Sequence, residues 1–165
     1  FATSEYGHGG ADNKETTKGF VRPWEECRGM GESFGYNRNE NLHMYQSGKQ
    51  LVHQLIDIVA RGGNLLLNIG PSADGQIPVI MQERLAEIGA WLKVSGEAIY
   101  GTRKWAKAPV YNKDFQVYFT QKGQNLYVIQ RKWAEQLQVD NVAKPKSVRL
   151  LGYDGPVKLD RKSVV

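Results

Sequence analysis

Cysteine is nearly absent from the sequence, which has only Cys27 among 165 residues. A single cysteine excludes an intrachain disulfide framework and any zinc site built from several cysteines, so packing must stabilise the fold. Long apolar runs are missing too, since the run over residues 64–69 is far too short to cross a bilayer. The first residues do not resemble a signal peptide. Because they also lack an initiator methionine, we expect the sequence to start inside a longer one.

Charge of one sign is not concentrated anywhere in the chain. The 22 Lys and Arg residues outnumber the 17 Asp and Glu residues, which gives a net charge of +5. The basic residues are separated by apolar or aromatic residues, and this spread favours a solvated basic surface over a nucleic-acid-binding stripe. With 41% hydrophobic and 10% aromatic residues, the composition is that of an ordinary folded protein of one or two domains.

Apolar residues at helical spacing predict two helices. The first follows Ser47, which matches a capping box with Gln50, and it ends at Gly62-Gly63. The second is predicted to have Pro78 at its first position and to stop at Ser95-Gly96.

Short runs next to these helices predict strands. Residues 64–69, apolar apart from their asparagines, are predicted to form a strand buried on both faces. Residues 33–36 are predicted to form the strand before the first helix. Strand, helix, strand, loop and helix in this order are typical of a parallel α/β sheet.

The hydrophobic period changes to two near Thr102. Two alternating runs, residues 115–120 and 125–130, flank a turn and predict a β-hairpin. Residues 147–151 predict one further strand. The second half of the chain is therefore predicted to be antiparallel β structure.

Neither half of the chain has enough predicted elements for a complete domain. The few parallel β/α units cannot close a barrel, and the predicted strands do not make a full β-sandwich. We therefore predict an α/β fold in which residues 1–101 are the last units of a (β/α)8-like TIM barrel and form the C-terminal part of a catalytic domain. Residues 102–165 are predicted to be a small, incomplete antiparallel β-sandwich domain.

Candidate site residues follow from a rule for parallel α/β folds, in which reactive groups lie at the carboxyl ends of strands and on the loops that follow. The rule selects the segments 5–10, 22–37 and 68–71. The first two contain aromatic residues beside carboxylates, and the third contains the Asn68 amide. Such a combination is typical of sugar sites, because aromatic faces pack on sugars while carboxylates bind hydroxyls or the glycosidic oxygen. Trp24 and Phe34 fit a hydrophobic core as well, so this pattern alone leaves a structural role open.

Longer motifs identify a family. In chain order they are Thr3-Ser4-Glu5-Tyr6, Arg22-Pro23-Trp24-Glu25, Ser33-Phe34-Gly35-Tyr36-Asn37, GGNLLLNIGP over residues 62–71, Asp74-Gly75, and Gly96-Glu97-Ala98-Ile99-Tyr100-Gly101-Thr102. Their order and spacing resemble those of the α-L-fucosidases of glycoside hydrolase family 29. The resemblance covers essentially the whole chain and is strongest from Pro23 to Thr102. It implies a retaining exo-glycosidase that acts on α-linked L-fucose, with a (β/α)-barrel followed by a β-sandwich.

The resemblance also implies roles for individual residues. A retaining mechanism needs two carboxylates roughly 5 Å apart, and the family's nucleophile is an Asp on an earlier barrel strand with no counterpart here. The general acid/base carries over to Glu5, with Glu25 as the alternative acid/base or as a positioning carboxylate. Phe34 matches the aromatic residue that packs against the C5 methyl of fucose. The other expected substrate-binding residues are Tyr6, His8 and Trp24.

The resemblance implies no metal and no cofactor. The expected partners are a fucosylated oligosaccharide or glycoconjugate and the N-terminal barrel part of the same enzyme, without nucleic acid or membrane; homo-oligomerisation stays open. Family members imply a secreted, periplasmic or lysosomal location. Because the nucleophile lies outside the segment, the segment alone is expected to be inactive. The alternative function is a non-catalytic carbohydrate-binding fragment, and a basic module for nucleic acid or acidic glycans is supported by the net charge alone.

Overall fold

The computed structural model describes residues 2–5, 23–108, 116–140, 142 and 144–158, and of residues 2–5 it describes only the backbone. The described part of the chain contains two three-stranded sheets and two longer helices. No helix within these ranges is both long and apolar enough to span a membrane.

The first sheet is parallel, as the alternation of helices and strands predicts. Its strand order is β1 (Ala2–Glu5), β2 (Trp24–Arg28) and β3 (Asn64–Leu67). Glu5 pairs with Cys27, which in turn pairs with Leu66. Because all three strands run in one direction, their carboxyl ends meet at one edge of the sheet.

The prediction of a strand over residues 33–36 is wrong, because these residues form bends and the strand before the first helix is β2. The chain folds back tightly here: a Cβ on Gly29 would lie 2.7 Å from the carbonyl oxygen of Ser33. The chain thus turns back just before this segment, and the segment pairs with no described strand.

Only one face of β3 is buried by the described residues, whereas the sequence predicts burial of both. Leu66 is 51% exposed, while its neighbours Leu65 and Leu67 are half-buried. Helix packing covers only one face of β3, and no element in the described ranges covers the other.

The two predicted helices are confirmed. Helix α1 (Gly48–Ala60) starts with the predicted capping box, in which the Gln50 backbone N–H donates to Ser47 Oγ and the Gln50 side chain accepts from the Ser47 backbone N–H at 2.8 Å. Helix α2 (Val79–Ser95) starts one residue later than predicted, with Pro78 as its N-cap. Short 3-10 turns cover Leu42–Met44 and Gly96–Ala98.

The second sheet is antiparallel, and its hairpin is confirmed. The strand order is β4 (Arg103–Lys104), β5 (Val117–Lys122) and β6 (Asn125–Gln130). Lys122 pairs with Asn125 across a two-residue turn, the loop length favoured in hairpins. The strand predicted over residues 147–151 is absent: these residues are in irregular structure and pair with no described strand. Val148 and Leu150 are 43% and 42% exposed, so little packing supports an extended conformation there.

Helix α1 contributes to two hydrophobic clusters. In one, Val52, Ile56 and Ala60 pack with Ile99 and Tyr118, which joins α1 to the antiparallel sheet. The other consists of Leu51, Met30 and Met81, with Leu67 of β3 packed against it. The predicted domain boundary between residues 101 and 102 stays a prediction, although the second sheet starts at Arg103.

Thr120 of β5 is fully buried, and its Oγ1 donates to the Ala98 carbonyl at 2.6 Å. We predict that Thr120→Val destabilises the protein by about 1 to 3 kcal/mol, because the new methyl leaves a buried carbonyl without its donor. Urea unfolding measures the change. The control Thr120→Ser keeps the hydroxyl; if it costs as much as Thr120→Val, the hydrogen bond is not the cause.

Candidate functional site

The carboxyl edge of the parallel sheet is the candidate site. Glu5 is the last residue of β1, Arg28 the last of β2, and Asn68 directly follows β3. The backbone N–H of Asn68 donates to the Arg28 carbonyl at 2.7 Å, so β2 and β3 stay paired to the edge. Strand ends from separate parts of the sequence therefore lie at one edge of the sheet.

The two faces of β2 have different surroundings. Trp24 and Glu26 are 6% and 1% exposed on the face that packs toward α1. Glu25 and Cys27 alternate with them and are half-buried on the opposite face. Register places Leu66 of β3 on this second face, which makes it the open face of the sheet.

The two candidate acid/base residues occupy different depths. Glu5 is level with Cys27, whereas Glu25 is level with Thr3, two residues nearer the amino ends of the strands. Two residues of a parallel strand span about 7 Å. Position 5 therefore lies at the carboxyl edge, and position 25 lies below it in the same sheet.

Trp24 lies away from the open face. The guanidinium carbon of Arg61 sits 5.2 Å from the centre of the Trp24 ring, a cation–π contact between β2 and the end of α1. This placement gives Trp24 a packing role. It does not support the predicted contact of Trp24 with substrate.

Glu26 forms a buried charge cluster that the sequence analysis missed. Arg28 Nε donates to Glu26 Oε1 at 2.6 Å, and Arg61 Nη2 lies 3.6 Å from Glu26 Oε2. Arg61 also donates to Asp57 Oδ2 at 2.7 Å, which links the cluster to α1. The one signal for this cluster in the sequence is the four-residue spacing of Asp57 and Arg61, which is typical of an ion pair along a helix. The buried carboxylate at position 26 is thus structural and holds α1 against β2.

Phe34 lies in the loop that follows β2 and is 38% exposed. Asn68 Nδ2 donates to the Phe34 carbonyl at 2.6 Å, so the structure brings together the predicted segments 22–37 and 68–71. Of the segment 5–10, only the backbone of Glu5 is described. Tyr6 and His8 lie outside the described residues.

Glu40 supports the same loop and was also missed. Its Oε1 accepts from the backbone N–H of Ser33 at 2.5 Å, next to Phe34. Burial, followed by this neighbouring carboxylate, raises the pKa of Tyr45 above its ordinary value. Glu40 and Ser33 are seven residues apart in irregular chain, a separation that no helical or strand period marks.

Within the described ranges, no three His, Cys, Asp or Glu side chains converge as metal ligands would. The described residues place the Glu25 carboxylate on the open face and the aromatic residue Phe34 in the loop at the edge.

Comparison with known proteins decides the family. The family model described as Alpha-L-fucosidase matches residues 1–97. The chain belongs to the α-L-fucosidase family. The resemblance found in the motifs is thereby confirmed.

Individual α-L-fucosidases agree with this assignment. The plasma alpha-L-fucosidase of Pongo abelii is 37% identical to this chain over an alignment of 181 residues, gaps included. The alignment covers 99% of this chain and 38% of that protein. The alpha-L-fucosidase of Dictyostelium discoideum is 41% identical over 111 residues, covering 67% of this chain and 23% of that protein. The crystal structure of Thermotoga maritima alpha-fucosidase in complex with fucose matches with a TM-score of 0.59 and 48% identity, over 64% of this chain and 25% of that one. The chain thus spans well under half the length of these relatives.

The Glu26 cluster yields a test of its structural role. We predict that Arg61→Met destabilises the α-L-fucosidase chain by about 3 kcal/mol, because a buried carboxylate loses one of its two cationic partners. Urea unfolding of the full-length protein measures this. The matched control is Arg149→Met at the exposed ion pair with Glu97, which should change stability little. Equal effects of the two changes would contradict the special role of the buried cluster.

Proposed function

We propose that the chain is part of a retaining exo-α-L-fucosidase and supplies the general acid/base and the pocket for the fucose methyl. Residues 1–101 would be the C-terminal part of its (β/α)8 barrel, and residues 102–165 part of a β-sandwich. The observation that carries the proposal is the family match over residues 1–97, with Glu5 and the Phe34 loop at the same carboxyl edge. Such edges are where barrel enzymes bind and react with their substrates.

The open face of the sheet supports a barrel. In a closed parallel barrel one sheet face turns inward and helices cover the other. Here α1 lies on the face of Glu26, while Leu66 on the opposite face is 51% exposed. We propose that the remaining strands of the full-length protein, N-terminal to this segment, cover Leu66 and complete the barrel interior.

Glu5 is the proposed general acid/base. In the first step it would protonate the glycosidic oxygen while an Asp from the N-terminal barrel part attacks the anomeric carbon. In the second step it would take a proton from the water that releases fucose. Its place as the last residue of β1 supports this role, because Glu25 lies about 7 Å deeper in the sheet. A nearby nucleophile carboxylate would raise the pKa of Glu5 and keep it protonated before the first step.

Phe34 is the proposed determinant for the methyl group. Fucose differs from its 6-hydroxylated relative by an apolar methyl, and a partly exposed aromatic ring at the edge suits such a group. Tyr6 and His8 are proposed to line the same site. The substrates would be fucosylated oligosaccharides or glycoconjugates. Because the relatives include plasma and tissue fucosidases, we propose a secreted or lysosomal-type location.

The proposed role of Glu5 as general acid/base can be tested by kinetics. Glu5→Gln in the full-length enzyme should lower kcat/KM for fucosides with poor leaving groups by about 10²- to 10⁴-fold. Aryl fucosides with activated phenols should lose far less, since good leaving groups need little protonation. Kinetics over a series of leaving groups measure the difference, and azide should partly restore the turnover of activated substrates.

The matched control is Glu25→Gln, the same isosteric change two residues deeper in the sheet. It should not alter the dependence on leaving group. If Glu25→Gln produces that dependence and Glu5→Gln does not, the two roles are reversed.

The proposed role of Phe34 can be tested by the selectivity of the enzyme between two sugars. Phe34→Ala should reduce the preference for an aryl α-L-fucoside over the α-L-galactoside by about 10- to 200-fold, the range for one methyl in an apolar pocket. The ratio of the two kcat/KM values measures it. An unchanged ratio in an active variant removes Phe34 from the methyl pocket.

A further inference from the structure

The side chain of Asn68 attaches the backbone of Phe34 to the sheet. Asn68 continues β3 by one residue, because its backbone N–H donates to the Arg28 carbonyl at 2.7 Å. From this fixed position its Nδ2 donates to the Phe34 carbonyl at 2.6 Å. The amide of Asn68 therefore connects the end of β3 directly to the loop that carries Phe34.

The residues after Phe34 rest on Gly70. A Cβ at position 70 would lie 2.3 Å from the Tyr36 nitrogen and 2.6 Å from the Gly35 carbonyl carbon. These are backbone atoms, so the loop and the segment after β3 touch without room for any side chain. Only glycine permits this approach, which brings the Phe34 carbonyl within reach of Asn68.

The residue before Phe34 is held from the other side. The backbone N–H of Ser33 donates to Glu40 Oε1 at 2.5 Å, and Ser33 Oγ accepts from Asn37 Nδ2 at 2.9 Å. The chain is thus held at Ser33 by its own loop, and at Phe34 by the sheet. The side-chain amide of Asn68 thus links the Phe34 backbone to the end of β3.

We propose that Asn68 is a specificity-determining positioning residue that sets how far the Phe34 ring reaches toward the sugar. This inference rests on the proposed function of Phe34 as the contact for the fucose methyl. Dispersion contacts weaken within about 1 Å of added separation, so a small shift of the loop removes the gain from a methyl. Asn68 acts through Phe34 and needs no contact with substrate.

The chemistry of Asn68 requires an amide rather than a carboxylate. Asparagine can donate to a carbonyl, whereas an ionised aspartate accepts only and repels it. Asn68→Asp therefore removes the bond while keeping the size of the side chain. We expect it to lower the ratio of kcat/KM for aryl α-L-fucoside to that for the α-L-galactoside about fivefold to tenfold. The change should come mainly from a raised KM for the fucoside.

The experiment is a double-mutant cycle in the full-length enzyme with Asn68→Asp, Phe34→Ala and the double variant. If Asn68 acts through Phe34, Asn68→Asp has no further effect on the ratio once Phe34 is Ala. Asn39→Asp is the control, because Asn39 is an exposed residue of the same loop whose backbone N–H donates to Asn37 Oδ1. It introduces the same charge and should leave the ratio unchanged.

The outcomes separate the inference from the proposed function. An unchanged ratio in Asn68→Asp, with a reduced one in Phe34→Ala, overturns the inference and leaves the proposed function standing. Equal losses from Asn68→Asp in both backgrounds also overturn it, because Asn68 then acts without Phe34. An active Phe34→Ala enzyme with an unchanged ratio overturns the methyl contact itself. If Asn68→Asp does not fold, Asn68→Ala replaces it in the cycle, and failure of both to fold makes the residue purely structural and overturns the inference.

Discussion

The packing of α1 between the two sheets is the constraint on which the rest of the structure depends. Toward the antiparallel sheet it buries Val52 and Ile56 against Tyr118. Toward the parallel sheet it buries Leu51, and Arg61 at its end neutralises the buried Glu26. Because α1 covers one face of β2 and β3, the opposite face is left for the proposed barrel interior.

This division of faces determines what the carboxyl edge can present. Glu26 pairs with Arg61 at the end of α1, so its carboxylate is not available to a substrate. Glu25 and the position of Glu5 lie on the open face instead. The Phe34 loop is joined to the end of β3 through Asn68. The proposed chemistry and the proposed selectivity therefore come from neighbouring strands of one rigid sheet, a favourable arrangement for precise positioning.

Local signals predicted the parts of the fold that local interactions specify. The helices followed from apolar spacing and the Ser47 cap, and the hairpin from two alternating runs around a short turn. Strand β2 was harder to predict, since Glu26 and Arg28 make it look polar until their pairing with Arg61 is known. The aromatic residues of segment 33–36 resembled a strand pattern, but the segment forms bends and pairs with no described strand. The family was identified from long motifs, but the partnership of Asn68 with Phe34 joins residues far apart in sequence and needed the structure.

We propose that these residues serve a retaining α-L-fucosidase. The most direct measurement is proton NMR of an aryl α-L-fucoside during hydrolysis by the full-length protein, which shows the anomer released before mutarotation. We expect α-L-fucose as the first product, because two displacements at the anomeric carbon restore its configuration. Release of the β-anomer first, or no hydrolysis by folded full-length protein, would contradict it.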